Sequence, residues 1–398
     1  MGKDRLWTID YVSLMLAQTL NAFGMQMINS ILPLYLLKNG SPESQIGFIM
    51  GSFTFSAFFI RPLTPLGIRR VGKKNYMLIG VGISFLAALG YIWARSAADI
   101  LFVRVFHGLG LGISTTMMAT FVADIVPDSR RGEGIGLFGL SNTFATSIAP
   151  LIALGIIVNY DFYWVFLASA AILGISLFWL RFLMKPNPPQ VHQLVEEING
   201  SFLSNFKEPR TFLPAVLNIL VGICFGSSMS FLVLYGQKLG VGNIGYYFLV
   251  STICVFLSRL FSGKIFDKKG PFWVLIPGAA FLFCGFNILS IASSMTTILI
   301  AAMFYGTGMG LLAPSLQAWM MNRVAPEKRS VGSAVYYNSY DVGIAGGSFL
   351  LGIIAEKAGY STMFRCTSLS MIVFLIIYLF SVVREKNRRL TSSERINL

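Results

Sequence analysis

The segment Arg61-Pro-Leu-Thr-Pro-Leu-Gly-Ile-Arg-Arg-Val-Gly72 returns as Arg259-Leu-Phe-Ser-Gly-Lys-Ile-Phe-Asp-Lys-Lys-Gly270, an offset of 198 residues in a chain of 398. The same offset relates Gly47 to Gly245, Gly80 to Gly278, Gly108, Gly110 and Gly112 to Gly306, Gly308 and Gly310, and Arg131 and Gly134 to Arg329 and Gly332. Chance does not hold register over such a length, so the chain is a duplication, and any fold must accommodate two similar halves.

The material being duplicated is apolar. Hydrophobic residues make up 55% of the chain and charged ones 12%, against about 25% charged in soluble domains, and mean hydropathy is +0.68. A helix needs about 20 apolar residues to cross the hydrocarbon. Twelve stretches qualify, near 10–37, 44–66, 75–95, 99–124, 134–158, 162–184, 211–237, 243–264, 272–293, 296–321, 332–355 and 361–383. Several contain Gly or Pro, which membrane helices tolerate where neighbours satisfy the backbone. The expected fold is all-α and integral to the membrane, twelve transmembrane helices in two pseudo-symmetric bundles. An N-terminal bundle over 1–184 is joined by a polar, Pro-rich linker at 185–210 to a C-terminal bundle at 211–398. His192 falls in the linker, where a solvated side chain is the simplest account.

A net charge of +14 could point to nucleic acid, but the distribution argues otherwise. The basic residues gather on alternate connections: Lys3 and Arg5; Arg69, Arg70, Lys73 and Lys74; Arg130 and Arg131; Arg181, Lys185, Lys207 and Arg210; Lys264, Lys268 and Lys269; Arg323, Lys328 and Arg329; and Arg384, Lys386, Arg388, Arg389 and Arg395. The opposite connections hold only Lys38, Arg95, Lys238 and Lys357. This asymmetry places the basic side, with both termini, in the cytoplasm. The first apolar stretch is too long and too polar for a signal peptide and lacks a cleavage site, so it is expected to remain as the first span. Cys224, Cys254, Cys284 and Cys366 show no paired spacing, indicating neither a disulfide framework nor a metal site.

Twelve spans, a central linker and the RP...RRVGKK connection after span two resemble the major facilitator superfamily over nearly the whole chain. Its loop pattern is G-x-x-x-D-R/K-x-G-R/K-R/K. The second half keeps it with Gly263, Asp267, Lys268 and Gly270; in the first, Pro65 replaces the Gly and Arg69 the Asp, while Arg70, Gly72, Lys73 and Lys74 remain. The resemblance implies a cytoplasmic gate built from this loop and its mate, including Arg61, Arg69, Arg70, Gly72, Arg259, Gly263, Asp267, Lys268 and Gly270. Asp124, at the cytoplasmic end of span four, could replace the missing carboxylate by facing Arg69 and Arg70, or could be a hydrated helix-end residue.

In span four, Arg104-Val-Phe-His-Gly108-Leu-Gly110 resembles the family's R-x-x-x-G-x-G pattern, associated there with proton coupling; His107 is unusual in it. At 1.5 Å per residue Arg104 lies roughly 8 Å and His107 roughly 12 Å deep. Such a guanidinium costs about 3 kcal/mol unless it faces protein, water or a partner; snorkelling from a lipid face is the alternative. Asp341, in Tyr336-Tyr-Asn-Ser-Tyr-Asp341 of span eleven, is the sole carboxylate expected near mid-bilayer, roughly 13 Å deep. Burial favours its neutral form and a neighbouring cation its ionised form, so it could carry a proton, or it could be a permanently paired structural acid. The superfamily fold implies that spans four and eleven approach each other, so Arg104, His107 and Asp341 could form one proton-coupling set.

Gln18, Asn21, Met25 and Asn29 recur at helical spacing along span one, with Gln26 beside them. With Asn142, Ser227, Ser228, Gln317, Tyr337 and Asp341 they are candidates to line a substrate cavity, or to serve as interhelical contacts. Two deep bases and one deep acid favour an anionic or zwitterionic substrate over a lipophilic cation.

Two soluble-enzyme patterns are set aside. Gly67-Ile-Arg-Arg-Val-Gly72-Lys73-Lys74 ends in Lys where a phosphate-binding loop needs Ser or Thr, and follows a span instead of a strand; Gly134-Ile-Gly136-Leu-Phe-Gly139 lies inside an apolar helix. No enzyme chemistry, cofactor or metal is expected. The expectation is a proton-coupled secondary transporter that exports a small molecule, drug or metabolite, possible metallophores included, across the cytoplasmic membrane by alternating access. The superfamily's usual state is a monomer in the lipid bilayer. The alternatives are a nutrient or sugar uptake symporter and, in another class, a transport-inactive receptor or scaffold.

Overall fold

The computed structural model describes residues 6–127, 131–183, 209–323 and 329–396. Lys3, Arg5, Arg130, Lys185, Lys207, Lys328, His192 and the linker up to residue 208 fall outside them. The described residues are helical, with no strand among them, as required where lipid offers backbone groups no partner.

Span one is Ile9–Lys38, capped by the Thr8 hydroxyl, which accepts from the Tyr11 N–H. Span two is Glu43–Ile60. Pro62 has no N–H to continue its ladder, and the chain tightens into the 3-10 turn Arg61–Leu63 before the short helix Thr64–Val71. Gly72 then reverses the chain at φ 82°, a conformation that a Cβ would oppose. Spans three to six are Lys73–Trp93, Ala97–Ile125, Arg131–Asn159 and Phe162–Leu183. Ser96 and Asp99 form a capping box at the start of span four.

Spans seven to ten are Pro209–Lys238, Gly245–Lys269, Phe272–Ser290 and Met295–Asn322. Gly270 adopts φ 84°, matching Gly72 at the repeat offset. The last helix, Arg329–Ile396, is broken at Gly359 by a non-helical φ of 79°. Its apolar part covers 49 residues, about 74 Å of helix and more than twice the hydrocarbon thickness. It therefore crosses twice: residues 329–358 are span eleven and 360–396 are span twelve.

Span one packs on five and six, two on four, and three on four and six. Spans seven to twelve repeat that pattern. The glycines of span four explain how. A Cβ at Gly110 would lie 2.9 Å from the Gly80 carbonyl oxygen, and one at Gly308 would lie 2.9 Å from that of Gly278. Gly108 abuts Phe53 and Ser56 just as Gly306 abuts Ser251 and Cys254. In lipid, where apolar side chains gain little by leaving the solvent, such close backbone approach is a main source of helix association. Large apolar residues such as Phe102, Phe178, Phe182, Ile376 and Phe380 remain exposed on the outside of the bundles.

The halves meet through span two on eleven, five on eight, and one on seven. We call the side where span one begins and span twelve ends the basic face, and the other the far face. Contacts tighten towards the far face. Gly51 faces Ala345, Gly47 faces Ser348, and Gly352 faces Glu43. At the far end the Ser44 N–H, at the first turn of span two, donates to Glu356 Oε2 at 3.1 Å, and the Tyr360 hydroxyl donates to Glu43 Oε1 at 3.1 Å. Glu356 thus supplies, from the other half, the anion that the helix start favours; Pro42 offers no side-chain cap.

Candidate functional site

Asp341 meets Arg61. The guanidinium donates through Nη1 to Asp341 Oδ2, forming an ion pair that joins span two to span eleven. Arg61 and Asp341 side chains are 17% and 9% exposed, so both charges are largely withdrawn from solvent. Arg61 also lies 5.8 Å from the Tyr337 ring centroid, a cation–π range. The Pro62 break ends span two at this depth and leaves Arg61 pointing across the interface, well above the loop gate in which its sequence context placed it.

The repeat offers a second cross-interface contact. Arg259, equivalent to Arg61 in the duplication, donates through Nη1 to Thr143 Oγ1 at 3.3 Å. Thr143 stands in span five where Asp341 stands in span eleven. Arg259 is exposed, and Tyr336, Tyr340 and Tyr337 are its electrostatic neighbours. Tyr336 and Tyr340 stack one turn apart, with centroids 6.3 Å apart and planes at 6°. Asn218 of span seven fixes this segment, donating to the Tyr336 carbonyl at 2.7 Å and the Ser339 hydroxyl at 2.9 Å. Gly222, which packs against the Tyr340 carbonyl and Gly343, allows span seven to come that close.

Arg104 and His107 lie elsewhere. Both are fully enclosed, 1% and 0% exposed, within the first bundle. Arg104 sits 4.1 Å over the Phe53 ring and 3.7 Å from Met50 Sδ. His107 Nδ1 is 3.5 Å from the Tyr91 hydroxyl, and its ring meets Phe53 and Tyr91. Among the described residues neither forms an ion pair with Asp341. The expected three-residue set is therefore corrected: spans two and eleven, not four and eleven, make the charged contact. Arg104 does not snorkel; it is buried against aromatic and thioether groups.

The span-one amides divide. Gln26 reaches the other half, its Nε2 3.3 Å from Met229 Sδ, and holds Asn29 through its Oε1 at 3.0 Å. Asn21 bonds Ser114 at 3.4 Å inside its own half. Gln18 and Met25 are buried. Ser228 is buried beside Tyr247 and Tyr305, inside the second bundle and away from the charged contact. Gln317 is half-buried, Asn142 is exposed next to Thr143, and Tyr337 is 47% exposed.

The expected loop gate is not assembled. Asp124 pairs with Lys73 at 2.8 Å, within the first half, instead of facing Arg69 and Arg70, which are exposed. Asp267, Lys268 and Gly263 are exposed too, and Asp267 makes no ion pair among the described residues. Gly72 and Gly270 serve as turn residues. The halves are in backbone contact towards the far face, while Arg69, Arg70, Asp267 and Lys268 on the basic face are exposed.

A duplicated membrane bundle of two similar halves, joined here by one ion pair, is an architecture that many membrane transporters share. The sequence profile of the Major Facilitator Superfamily matches residues 14–348, and the chain belongs to that superfamily. It is a multi-pass membrane transporter, not an enzyme. The staphylopine export protein of Staphylococcus aureus is 24% identical over 88% of this chain and 90% of its own. The proton-coupled antiporter flippase LtaA of Staphylococcus saprophyticus is 22% identical over 82% of each. In fold, a crystal structure of a mutant nucleoside transporter NupG superposes with a TM-score of 0.79 at 12% identity, covering 94% of this chain and 99% of the other.

Proposed function

We propose that this transporter exports a zwitterionic small molecule across the cytoplasmic membrane in exchange for protons, with Asp341 as the proton carrier. The observation that carries this reading is the Asp341–Arg61 pair, a titratable carboxylate bridging the halves on the edge of their contact zone. Ionised, it ties span two to span eleven and favours the far-closed form; protonated, it leaves only a hydrogen bond between the cationic Arg61 and a neutral carboxyl, without the ion pair's attraction. The basic face is cytoplasmic on the positive-inside argument, so Asp341 meets its cargo from within. The similarity to an exporter and to a proton-coupled antiporter supports the direction, and a monomer suffices for the cycle.

Linkage selects the substrate charge. Antiport requires cargo and proton to exclude each other, and a cationic group on the cargo does so by competing for ionised Asp341. A pure anion would bind best when Asp341 is protonated and Arg61 released, which is the logic of a symporter. One proton moving through 100 mV supplies about 2.3 kcal/mol, roughly a fifty-fold gradient.

The test compares wild type with Asp341→Asn in liposomes, using a compound identified from metabolites released by cells with and without the gene. In Asp341→Asn gradient-driven transport fails, and exchange at equal pH survives only at raised substrate concentration, because the carboxylate that holds the cargo's cationic end is gone. If the variant uses the gradient as well as wild type, Asp341 is structural. Accumulation by energised cells instead of extrusion would establish uptake.

A further inference from the structure

The duplication places one arginine on each side of the pseudo-twofold axis, but only one of them has a carboxylate. Arg61 reaches Asp341; its mate Arg259 reaches Thr143. No carboxylate among the described residues pairs with Arg259. A hydroxyl neutralises nothing, so two guanidiniums face one acid, and the uncompensated charge sits on an exposed side chain beside the Tyr336–Tyr340 stack.

A cation carried by a membrane helix is costly unless it lines water or meets a counter-ion. In the first half of the repeat the chain supplies that counter-ion itself. In the second half it leaves the place open. We propose that Arg259 is the anchor for an anionic group of the substrate, a carboxylate or its equivalent, which takes the position that Asp341 occupies opposite Arg61. The planar guanidinium suits a carboxylate through two parallel hydrogen bonds, and releasing Thr143 costs a single 3.3 Å hydrogen bond to a hydroxyl. Tyr336 and Tyr340 add phenol hydroxyls and ring faces next to it.

This deepens the zwitterion reading and rests on it for one consequence. The anionic end lies at Arg259 and the cationic end at Asp341, on opposite sides of the axis, so the cargo carries its charges at opposite ends. The anion site itself does not depend on proton coupling.

The experiment uses the full chain purified in detergent, with benzoate as the probe and benzamide as its neutral isostere, reading thermal unfolding by tryptophan fluorescence. Benzoate, and not benzamide, raises the melting temperature of wild type. In Arg259→Gln the concentration needed rises by about tenfold or more, the scale of a lost charge-assisted contact. Two changes at one position then act in opposite directions. Thr143→Asp gives Arg259 an internal counter-ion and weakens benzoate to the level of Arg259→Gln, whereas Thr143→Ala binds benzoate at least as well as wild type. Benzoate carries no cationic end and needs no gradient, so loss of gradient-driven transport in Asp341→Asn bears on the proton-carrier reading, and loss of the benzoate effect in Arg259→Gln bears on this site. The proposal is overturned if benzoate stabilises wild type no more than benzamide does, if Arg259→Gln responds like wild type, or if Thr143→Asp and Thr143→Ala behave alike.

Discussion

Asp341→Asn should change the resting shape of the transporter as well as its coupling. Breaking a withdrawn ion pair by removing one partner costs about 3–5 kcal/mol, since the other charge is left without compensation. Arg61 and Asp341 are 17% and 9% exposed, and Asn keeps one carbonyl that can accept from Arg61, so the lower end applies, about 2–3 kcal/mol after that residual contact. The whole of this cost falls on the far-closed form, because span two and span eleven must be together for the pair to exist. The ratio of far-closed to far-open molecules therefore falls by about 30- to 150-fold. Spin labels at Arg95→Cys in the first half and Lys357→Cys in the second, both on the far face, report it in a background with the four native cysteines replaced. Pulsed dipolar spectroscopy at pH 8 should give one short distance with Asp341 intact and a substantial longer population in Asp341→Asn. Acidification should lengthen the distance in the parent by protonating Asp341, and should leave the Asn variant unmoved. An identical, short distribution in both proteins would refute the view that this pair holds the halves.

Two further outcomes follow from packing. In Gly51→Leu the new Cβ alone would lie 2.7 Å from the Ala345 carbonyl oxygen, so the same labels should report an opened far face, with about 1–3 kcal/mol of overpacking strain in the closed form. Arg104→Met should melt no lower than wild type, because a buried charge with no acid partner among the described residues gives way to an apolar chain of similar length, yet transport in liposomes should fall; a lower melting temperature would show that Arg104 stabilises the bundle.

The duplication was legible because glycines at helix crossings and loop turns cannot drift without clashes, which is why Gly108 and Gly306 still face equivalent residues. Asp341 was legible from depth alone, as the one acid placed far from either loop. Its partner was not. Sequence distance along span four measures how deep Arg104 lies but not which way it faces, and the helix turns it into the first bundle. Arg61 sat beside a loop pattern and was grouped with that loop, although Pro62 ends the helix early enough to aim it inward. The signal that could have found the Arg259–Thr143 contact was present: applying the repeat offset to Asp341 leads to Thr143. The exposed Asp267 and the Asp124–Lys73 pair show the remaining gap, since gate contacts depend on how the halves are tilted, which no residue pattern along one span records.

The turn at Gly359 bears on speed. Span eleven passes into span twelve through a single residue of positive φ, with Glu356 and Tyr360 on either side of it bonded to the start of span two. A corner so short has no slack to absorb motion, so the hairpin is displaced as one stiff body once those two bonds release. No segment has to refold before the far face parts. Rigid-body steps of this kind run in microseconds to milliseconds, so in the proposed cycle the parting of the far face is fast and turnover is set by how long the charges stay bound.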